Sequence, residues 1–277
     1  TVSGCPDYTS FEVIIELLPE PVISTDDDVH TICVDFATGE VLRPLLLQSG
    51  VTPNGHTYDW YLNGQLIDTN QNGTYLAQAP GSYTVIVTGP APNGCISDVS
   101  EAFEVIQSGP PSPIGQGFVV SNAFGEDQTI TVLVEGYGEY QYSLYPEGPW
   151  QNSNVFTGVA PGEHTVYIRD VTADPCTDPY ETIANVSVIN YPHYFTPNGD
   201  GYNDTWNIIG LAGEDYQAVI YIFDRYGKLI KQISPDGEGW DGTYNGHPVT
   251  ADDYWFTVEF NEGQYRRTVK AHFALKR

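Results

Sequence analysis

The chain has 277 residues and is strongly acidic, with 36 Asp and Glu against 10 Lys and Arg and a formal net charge of −26 at pH 7. Phosphate backbones and anionic lipid surfaces repel so acidic a protein, which argues against nucleic-acid binding and peripheral membrane binding. The length exceeds that of one ordinary all-β domain and fits two or three small ones. The sequence contains no Met, so we expect it to be a piece of a longer protein. It also contains no apolar run of transmembrane length, so we expect no membrane-spanning segment within these residues.

An internal repeat predicts the architecture. The segment A-P-G-S-Y-T-V-I-V at 79–87 recurs as A-P-G-E-H-T-V-Y-I at 160–168, an offset of 81 residues that also aligns Cys95 with Cys176. Short runs of alternating apolar residues, separated by turns rich in Gly, Pro and Asn, indicate β-strands. Repeated units of about 80–90 residues built from such strands are typical of β-sandwiches. The sequence therefore predicts an all-β fold of tandem immunoglobulin-like β-sandwich modules.

The repeat divides the chain into four segments. Residues 1–21 are interpreted as the terminal strand and linker of a truncated preceding module. Residues 22–108 and 109–190 are then two immunoglobulin-like modules, and residues 191–277 are a terminal module. The linker S-G-P-P-S-P at 108–113 has three prolines in four residues, which favours a stiff, extended connection.

The cysteines predict one disulfide. No C-x-x-C pair is present, so a zinc site or a thioredoxin-type motif is not expected. Cys33 and Cys95 bracket a single module, and we predict that they form a disulfide. Closing that loop would stabilise the fold by roughly 4 kcal/mol on the chain-entropy model. Cys5 and Cys176 are interpreted as unpaired.

The alternation of apolar and polar residues also predicts the hairpin and the buried residues of the terminal module. The segments 218–224 and 227–230 are expected to form a hairpin, with Gly227 supplying the positive φ that the turn needs. We expect Trp206 and Trp255 in the core and Trp240 partly covered. The last strand places Val269, Ala271, Phe273 and Leu275 inside, which leaves Lys270, His272 and Lys276 outside.

An irregular loop, F-T-P-N-G-D-G-Y-N-D at 195–204, precedes this hairpin. Its oxygen-bearing side chains Asn198, Asp200, Asn203 and Asp204 are the hard ligands that calcium prefers, which makes the loop a candidate calcium site. The spacing departs from the EF-hand pattern, because Tyr202 occupies a ligand position and no Glu closes the loop. The alternative is a turn in which Asn and Asp side chains bond to nearby backbone N–H groups.

The motifs of residues 191–277 resemble a known family. F-T-P-N-G-D-G-x-N-D-x-W, followed by D-R-Y-G-K, W-D-G-x-x-N-G, Y-W-F and a final F-x-L-K-R, is similar to the gliding-motility-associated C-terminal domain, the type B sorting domain of the type IX secretion system of Bacteroidetes. The W-D-G to Y-W-F part is also similar to terminal immunoglobulin-like modules such as those of flagellar hook-capping proteins. The resemblance implies recognition by the type IX translocon and its outer-membrane shuttle proteins. It further implies export across the outer membrane of a Gram-negative bacterium to the cell surface, and an adhesin-like parent used in gliding or attachment.

Charge suggests which residues would take part in this recognition. Eight of the ten basic residues lie after residue 190, and we predict that a basic tip forms part of the surface read by the translocon: Lys270, Lys276, Arg277, Arg225 and Lys228. No catalytic motif is present, so we expect no enzyme. The alternative function is a calcium-assisted module that binds a carbohydrate or matrix component, such as a surface glycan, through exposed aromatic rings.

Overall fold

The computed structural model describes residues 18–91, 94–213, 216–262 and 265–277, and within these ranges the chain is all-β. It contains there twenty-one strands and one 3₁₀ turn, Asp26–Asp28. No helix in the described part is long and apolar enough to cross a membrane. Most of the segment 1–21, including Cys5, lies outside the described residues.

In the part of the first module that the structure describes there are eight strands: β1 (Thr31–Val34), β2 (Val41–Arg43), β3 (Leu45–Gln48), β4 (Thr57–Leu62), β5 (Gln65–Asn70), β6 (Thr74–Ala77), β7 (Gly81–Thr88) and β8 (Phe103–Ser108). Six form one sheet in the order β2-β1-β8-β7-β4-β5, and β3 pairs with β6 in a second. Because side chains alternate along a strand, β4 directs Tyr58 and Trp60 into the core and β7 directs Val85 there. Leu47 of β3 joins the same core from the second sheet, so the module is a β-sandwich.

The second module contains six strands: β9 (Ser112–Val120), β10 (Thr129–Glu135), β11 (Tyr140–Ser143), β12 (Val155–Thr157), β13 (Gly162–Asp170) and β14 (Glu181–Val188). They form two antiparallel sheets of three strands, β12-β10-β9 and β11-β13-β14. Ile130 and Val132 from one sheet pack with Val166 and Ile168 from the other. The alternation predicted for these strands therefore produces a second sandwich core.

The described residues of the terminal module form seven strands: β15 (Tyr194–Phe195), β16 (Val219–Phe223), β17 (Leu229–Ile233), β18 (Thr243–Tyr244), β19 (His247–Pro248), β20 (Asp253–Glu262) and β21 (Tyr265–Leu275). Five form the main sheet, β15-β21-β20-β16-β17, and β18 pairs with β19. The predicted hairpin is confirmed, because β16 and β17 are joined by a turn in which Gly227 has φ 79°. The fold class predicted from the sequence, tandem immunoglobulin-like sandwiches, is thereby confirmed.

By contacts between Cα atoms the chain divides into two compact units. One contains the chain up to Pro110 together with the short segment Thr172–Cys176, which joins β13 to β14 in sequence. The other contains Pro111–Val171 and Thr177–Arg277. The segment Thr172–Cys176 is thus a part of the first unit although the sequence places it between two strands of the second module.

The predicted disulfide between Cys33 and Cys95 is wrong. Cys33 bonds to Cys176, with their Cα atoms 5.6 Å apart, and Cys95 is a free cysteine. Cys33 lies beside Ser108 at one end of β8, whereas Cys95 follows the opposite end of β7. About ten residues of extended strand, roughly 30 Å, separate these two ends. A disulfide needs Cα atoms within about 7 Å, so Cys33 and Cys95 do not pair.

The segment Thr172–Cys176 covers the outward side of β1 within the first unit. The Asp174 carboxylate accepts hydrogen bonds from the His30 backbone N–H at 2.9 Å and the Thr31 hydroxyl at 3.0 Å. The Arg43 guanidinium donates to the backbone carbonyls of Asp174 at 3.1 Å and Pro175 at 3.2 Å. Together with the disulfide, these bonds cover the face of β1 that carries Thr31 and Cys33, while Ile32 and Val34 belong to the core, so all four residues of β1 are buried.

Candidate functional site

The loop at 195–204 is organised around one carboxylate of its own. Asp204 accepts hydrogen bonds from the backbone N–H groups of Asn198 at 3.0 Å and Gly199 at 2.6 Å through Oδ1, and from Gly201 at 2.7 Å through Oδ2. These N–H donors lower the pKa of the Asp204 carboxyl from its usual value, with Gly199 contributing most. Gly199 and Gly201 take φ of 77° and 89°, which side chains disfavour, so the glycines let the backbone bend round the carboxylate.

The remaining polar side chains of the loop bond to one another and to the backbone. The Asn198 amide donates to Asp200 Oδ2 at 2.8 Å, and Asp200 Oδ1 accepts the Tyr202 N–H at 2.8 Å. Thr196 N–H donates to the Asn203 carbonyl at 2.7 Å. This pattern agrees with the turn alternative. In the described part of the chain no group of three or more His, Cys, Asp or Glu residues could hold a metal ion. Calcium at Asn198, Asp200, Asn203 and Asp204 stays a prediction.

Two tryptophans lie in the core of the terminal module next to this loop. Trp206 and Trp240 are fully buried and form an isolated β-bridge with each other. The Trp206 ring stacks on Phe273 with centroids 3.8 Å apart, and its Nε1 donates to the Pro192 carbonyl at 2.7 Å. The expectation that Trp206 lies in the core is confirmed, and the expectation that Trp240 is only partly covered is wrong. Trp240 is buried because its Nε1 finds an internal acceptor, the Thr243 carbonyl at 2.8 Å.

Trp255 lies on the opposite face of the main sheet from that core. The prediction that it is buried is wrong, since the residue is 42% exposed while its neighbour Tyr254 is 4% exposed. Adjacent residues of a strand point to opposite faces, so burial of Tyr254 and Phe256 forces Trp255 outward. Trp255 is paired with His272 of β21, and the centroids of the two rings lie 5.9 Å apart.

Four of the five predicted recognition residues lie at one end of the main sheet. Arg225 forms an ion pair with Asp252 at 3.3 Å, and Arg277 donates to the Gly242 carbonyl at 3.3 Å. Lys228 lies 4.3 Å from the Tyr244 ring centroid, and Lys276 lies at the same distance from that of Tyr194. Strand ends bring these residues together, because β21 ends where β20 begins and where β16 turns into β17.

This end of the sheet is mixed in charge rather than purely basic. Burial raises the pKa of the Tyr254 hydroxyl, and the carboxylates of Asp252 and Asp224 raise it further while Arg277 lowers it. Two carboxylates and one guanidinium therefore act on the buried Tyr254 hydroxyl. Lys270, the fifth predicted residue, lies apart from this end, exposed on the outward face of β21 opposite Thr257.

The terminal core also receives a side chain from the second module, which belongs to the same compact unit. Phe124 packs against this core, with its ring 5.9 Å from that of Phe260 and 6.2 Å from that of Tyr191. Its backbone N–H donates to the Ile189 carbonyl at 2.9 Å, and the Asn190 side chain donates to the Gly125 carbonyl at 2.9 Å. Sequence reasoning missed Phe124 because the residue lies in a loop with no periodic pattern.

Comparison with known proteins identifies the terminal module. The family model of the CHU_C type IX secretion signal domain matches residues 189–274. No curated protein matches the chain. Modules of this kind and immunoglobulin-like modules are typically non-catalytic.

Solved structures of low similarity include immunoglobulin domains and fibronectin modules. Immunoglobulin domains 1–4 of Sidekick-1 show 11% identity and a TM-score of 0.28, over 93% of this chain and 72% of that one. The chicken CNTN1 FN1–FN3 domains show 11% identity and a TM-score of 0.24, over 92% and 99%. The fibronectin(III)-like modules of Clostridium thermocellum CbhA show 14% identity and a TM-score of 0.27, over 59% and 93%.

The family match coincides with the segment whose motifs resemble the type B sorting domain, and the resemblance is confirmed. A signal domain of this type implies export to the cell surface and interaction with the secretion system. Residues 189–274 therefore match the CHU_C type IX secretion signal domain, and immunoglobulin-like β-sandwich modules precede them, which supports a secreted protein with a sorting signal.

Proposed function

We propose that the type IX translocon and outer-membrane shuttle proteins read the terminal module and carry the chain across the outer membrane of a Gram-negative bacterium of the Bacteroidetes. The observation that carries this proposal is the family match at 189–274. The match includes the loop that Asp204 holds in a fixed conformation. A loop fixed by its own hydrogen bonds is available to a partner without the entropic cost of ordering.

The two preceding modules act as non-enzymatic spacers, with boundaries at about residues 22–108 and 109–190. Each has its own hydrophobic core. The net charge of −26 keeps such spacers from associating with one another. A large adhesin used in gliding motility or attachment is the parent protein that this arrangement fits.

Export of a reporter tests the proposal. The chain is placed behind a periplasmic signal peptide and a reporter protein in a type IX-competent host, and the reporter is measured at the cell surface and in the medium. The matched control is the same fusion in a host that lacks the translocon. Delivery in the first host and periplasmic retention in the second are expected. Retention in both hosts would contradict the proposal.

A second candidate function, glycan binding, is favoured by an aromatic cluster in the second module. The rings of Trp150 and Tyr180 lie 6.2 Å apart, and those of Tyr167 and Tyr180 lie 4.9 Å apart. Arg169 lies 4.3 Å from the Trp150 ring centroid and donates to the Gln141 side chain at 2.7 Å. Aromatic rings beside fixed polar groups suit sugars. Retardation of the chain in gels containing cell-surface polysaccharide, lost on Trp150→Ala, would support this function, and unchanged mobility would contradict it.

A further inference from the structure

The last strand of the terminal module has one long edge that no described strand covers. On one side, β21 pairs with β20 along its whole length without a shift in register. On the other side, β15 pairs only with its last two residues, Ala274 and Leu275. The residues of β21 before Phe273 therefore have no strand partner on that side within the described part of the chain.

The hydrogen bonds at the end of β21 show which backbone groups face this edge. The N–H groups of Ala274 and Lys276 donate toward β15, to the carbonyls of His193 at 2.9 Å and Phe195 at 3.0 Å. The N–H of Leu275 donates to Asp252 at 2.9 Å, on the side of β20. Because these directions alternate along an antiparallel strand, the N–H and C=O groups of Thr268, Lys270 and His272 point to the open side.

This edge lacks most of the features that prevent strands from adding to a sheet. Proteins commonly protect an edge with a proline, a β-bulge or a very short strand. Strand β21 is eleven residues long, from Tyr265 to Leu275, and contains neither a proline nor a bulge. The protecting feature that it does have is charge. Lys270 is exposed and forms no ion pair in the described part of the chain, and Arg266 pairs with Glu259 at 3.3 Å.

The charges along the open edge of β21 favour one kind of added strand over another. A second copy of the chain paired about Thr268 would place its Lys270 opposite Arg266 of the first copy, and like charges directly opposite are destabilising. An extended segment with Asp or Glu on its outward face would instead place carboxylates beside Lys270 and close to His272. Main-chain hydrogen bonds would provide affinity, and the cations would provide specificity.

We propose that the open edge of β21, at Thr268–His272, accepts an extended acidic strand of the export machinery by strand addition. The proposal rests on the proposed sorting function and defines the surface and the mode of recognition within it. It places Lys270 in a role distinct from the cations at the end of the sheet, because Lys270 flanks the added strand.

Proline substitution tests the backbone contribution. Thr268→Pro removes an N–H that points away from β20, so the pairing of β20 with β21 is retained, as for prolines on natural edge strands. Thr268→Ala is the matched control that keeps the N–H. In the reporter fusion of the full chain, export of Thr268→Pro should fall about tenfold or more, as expected for lost main-chain bonds, while Thr268→Ala is exported like the wild type. Thermal melting should show that both variants fold.

Charge reversal provides an independent test that does not alter the backbone. Lys270→Glu should reduce export by about tenfold, while Lys231→Glu, on the exposed strand β17 at the other edge of the sheet, should leave it unchanged. Export of Thr268→Pro at the level of Thr268→Ala, or of Lys270→Glu at the level of Lys231→Glu, overturns the strand-addition proposal alone. Failure of the wild-type fusion to leave the periplasm overturns the sorting function and this inference together.

Discussion

Cys33 is bonded to Cys176, which lies 143 positions further along the chain, and this bond ties the strand β1 to the segment Thr172–Cys176 within one compact unit. The bond is accompanied by hydrogen bonds from His30 and Thr31 to Asp174. The segment is therefore fixed to β1 both covalently and through its carboxylate.

Mass spectrometry of unreduced peptides should recover Cys33 linked to Cys176. Cys176→Ser should destabilise the first unit by up to about 5 kcal/mol, the chain-entropy estimate for a loop of this length. Cys95→Ser is the control and should leave the denaturation midpoint nearly unchanged, because Cys95 is not bonded. A peptide linking Cys33 to Cys95 would contradict the assignment.

Phe124 is expected to stabilise the terminal module although it belongs to the second. Phe124→Ala should lower the free energy of unfolding by about 2 kcal/mol, since the ring is partly buried against Phe260 and Tyr191. The change should appear in the fluorescence transition of the buried Trp206 and Trp240. Tyr145→Ala, in the same module but 63% exposed, is the matched control. Equal transitions for the two variants would show that Phe124 adds nothing to the terminal core.

The Asp204 carboxylate should make the stability of the terminal module depend on pH in the acidic range. Its folded-state pKa is lowered from the ordinary value of 3.8, so its contribution is present above that pH and is lost as the pH falls through the lower folded value. Asp204→Asn should melt at a lower temperature than the wild type at neutral pH. The difference should shrink on acidification below about pH 4. A difference that is constant with pH would show that the carboxylate charge is not responsible.

The same melting experiments test whether the loop at 198–204 binds calcium. If the loop is held by its own hydrogen bonds, a chelator should leave the melting temperature of the wild type unchanged. A fall on chelation that Asp200→Ala abolishes would instead establish a calcium site in the loop at 198–204.

Lys276→Glu combined with Arg277→Glu should abolish export of the reporter fusion if the basic end of the sheet is read by the translocon. The cost in stability should be small, about 1 kcal/mol or less, because both residues are exposed and their contacts are with the Tyr194 ring and the Gly242 carbonyl. Circular dichroism melts would verify folding. Normal export of the folded double variant would assign these cations a role outside recognition.

Local chemistry accounts for what the sequence alone determined. Alternation of apolar residues predicted the hairpin of β16 and β17 and the inward face of β21, because the side-chain period of a strand depends on nothing beyond the strand itself. The motif F-T-P-N-G-D-G identified the signal domain, and its Gly, Asn and Asp residues make a turn whose hydrogen bonds join residues at most seven positions apart.

Tertiary structure decided what depends on distant neighbours. The repeat aligned Cys95 with Cys176, yet only the packing of the segment Thr172–Cys176 against β1 brought Cys176 to Cys33. The terminal strands likewise contain Trp and Tyr side by side, and a shift of one residue exchanges the buried face for the exposed one. The pairing of β20 with β16 and β21 placed Tyr254 inside and Trp255 outside. Phe124 shows the same limit, because its partners lie more than sixty residues away in the chain, and local patterns do not encode such contacts.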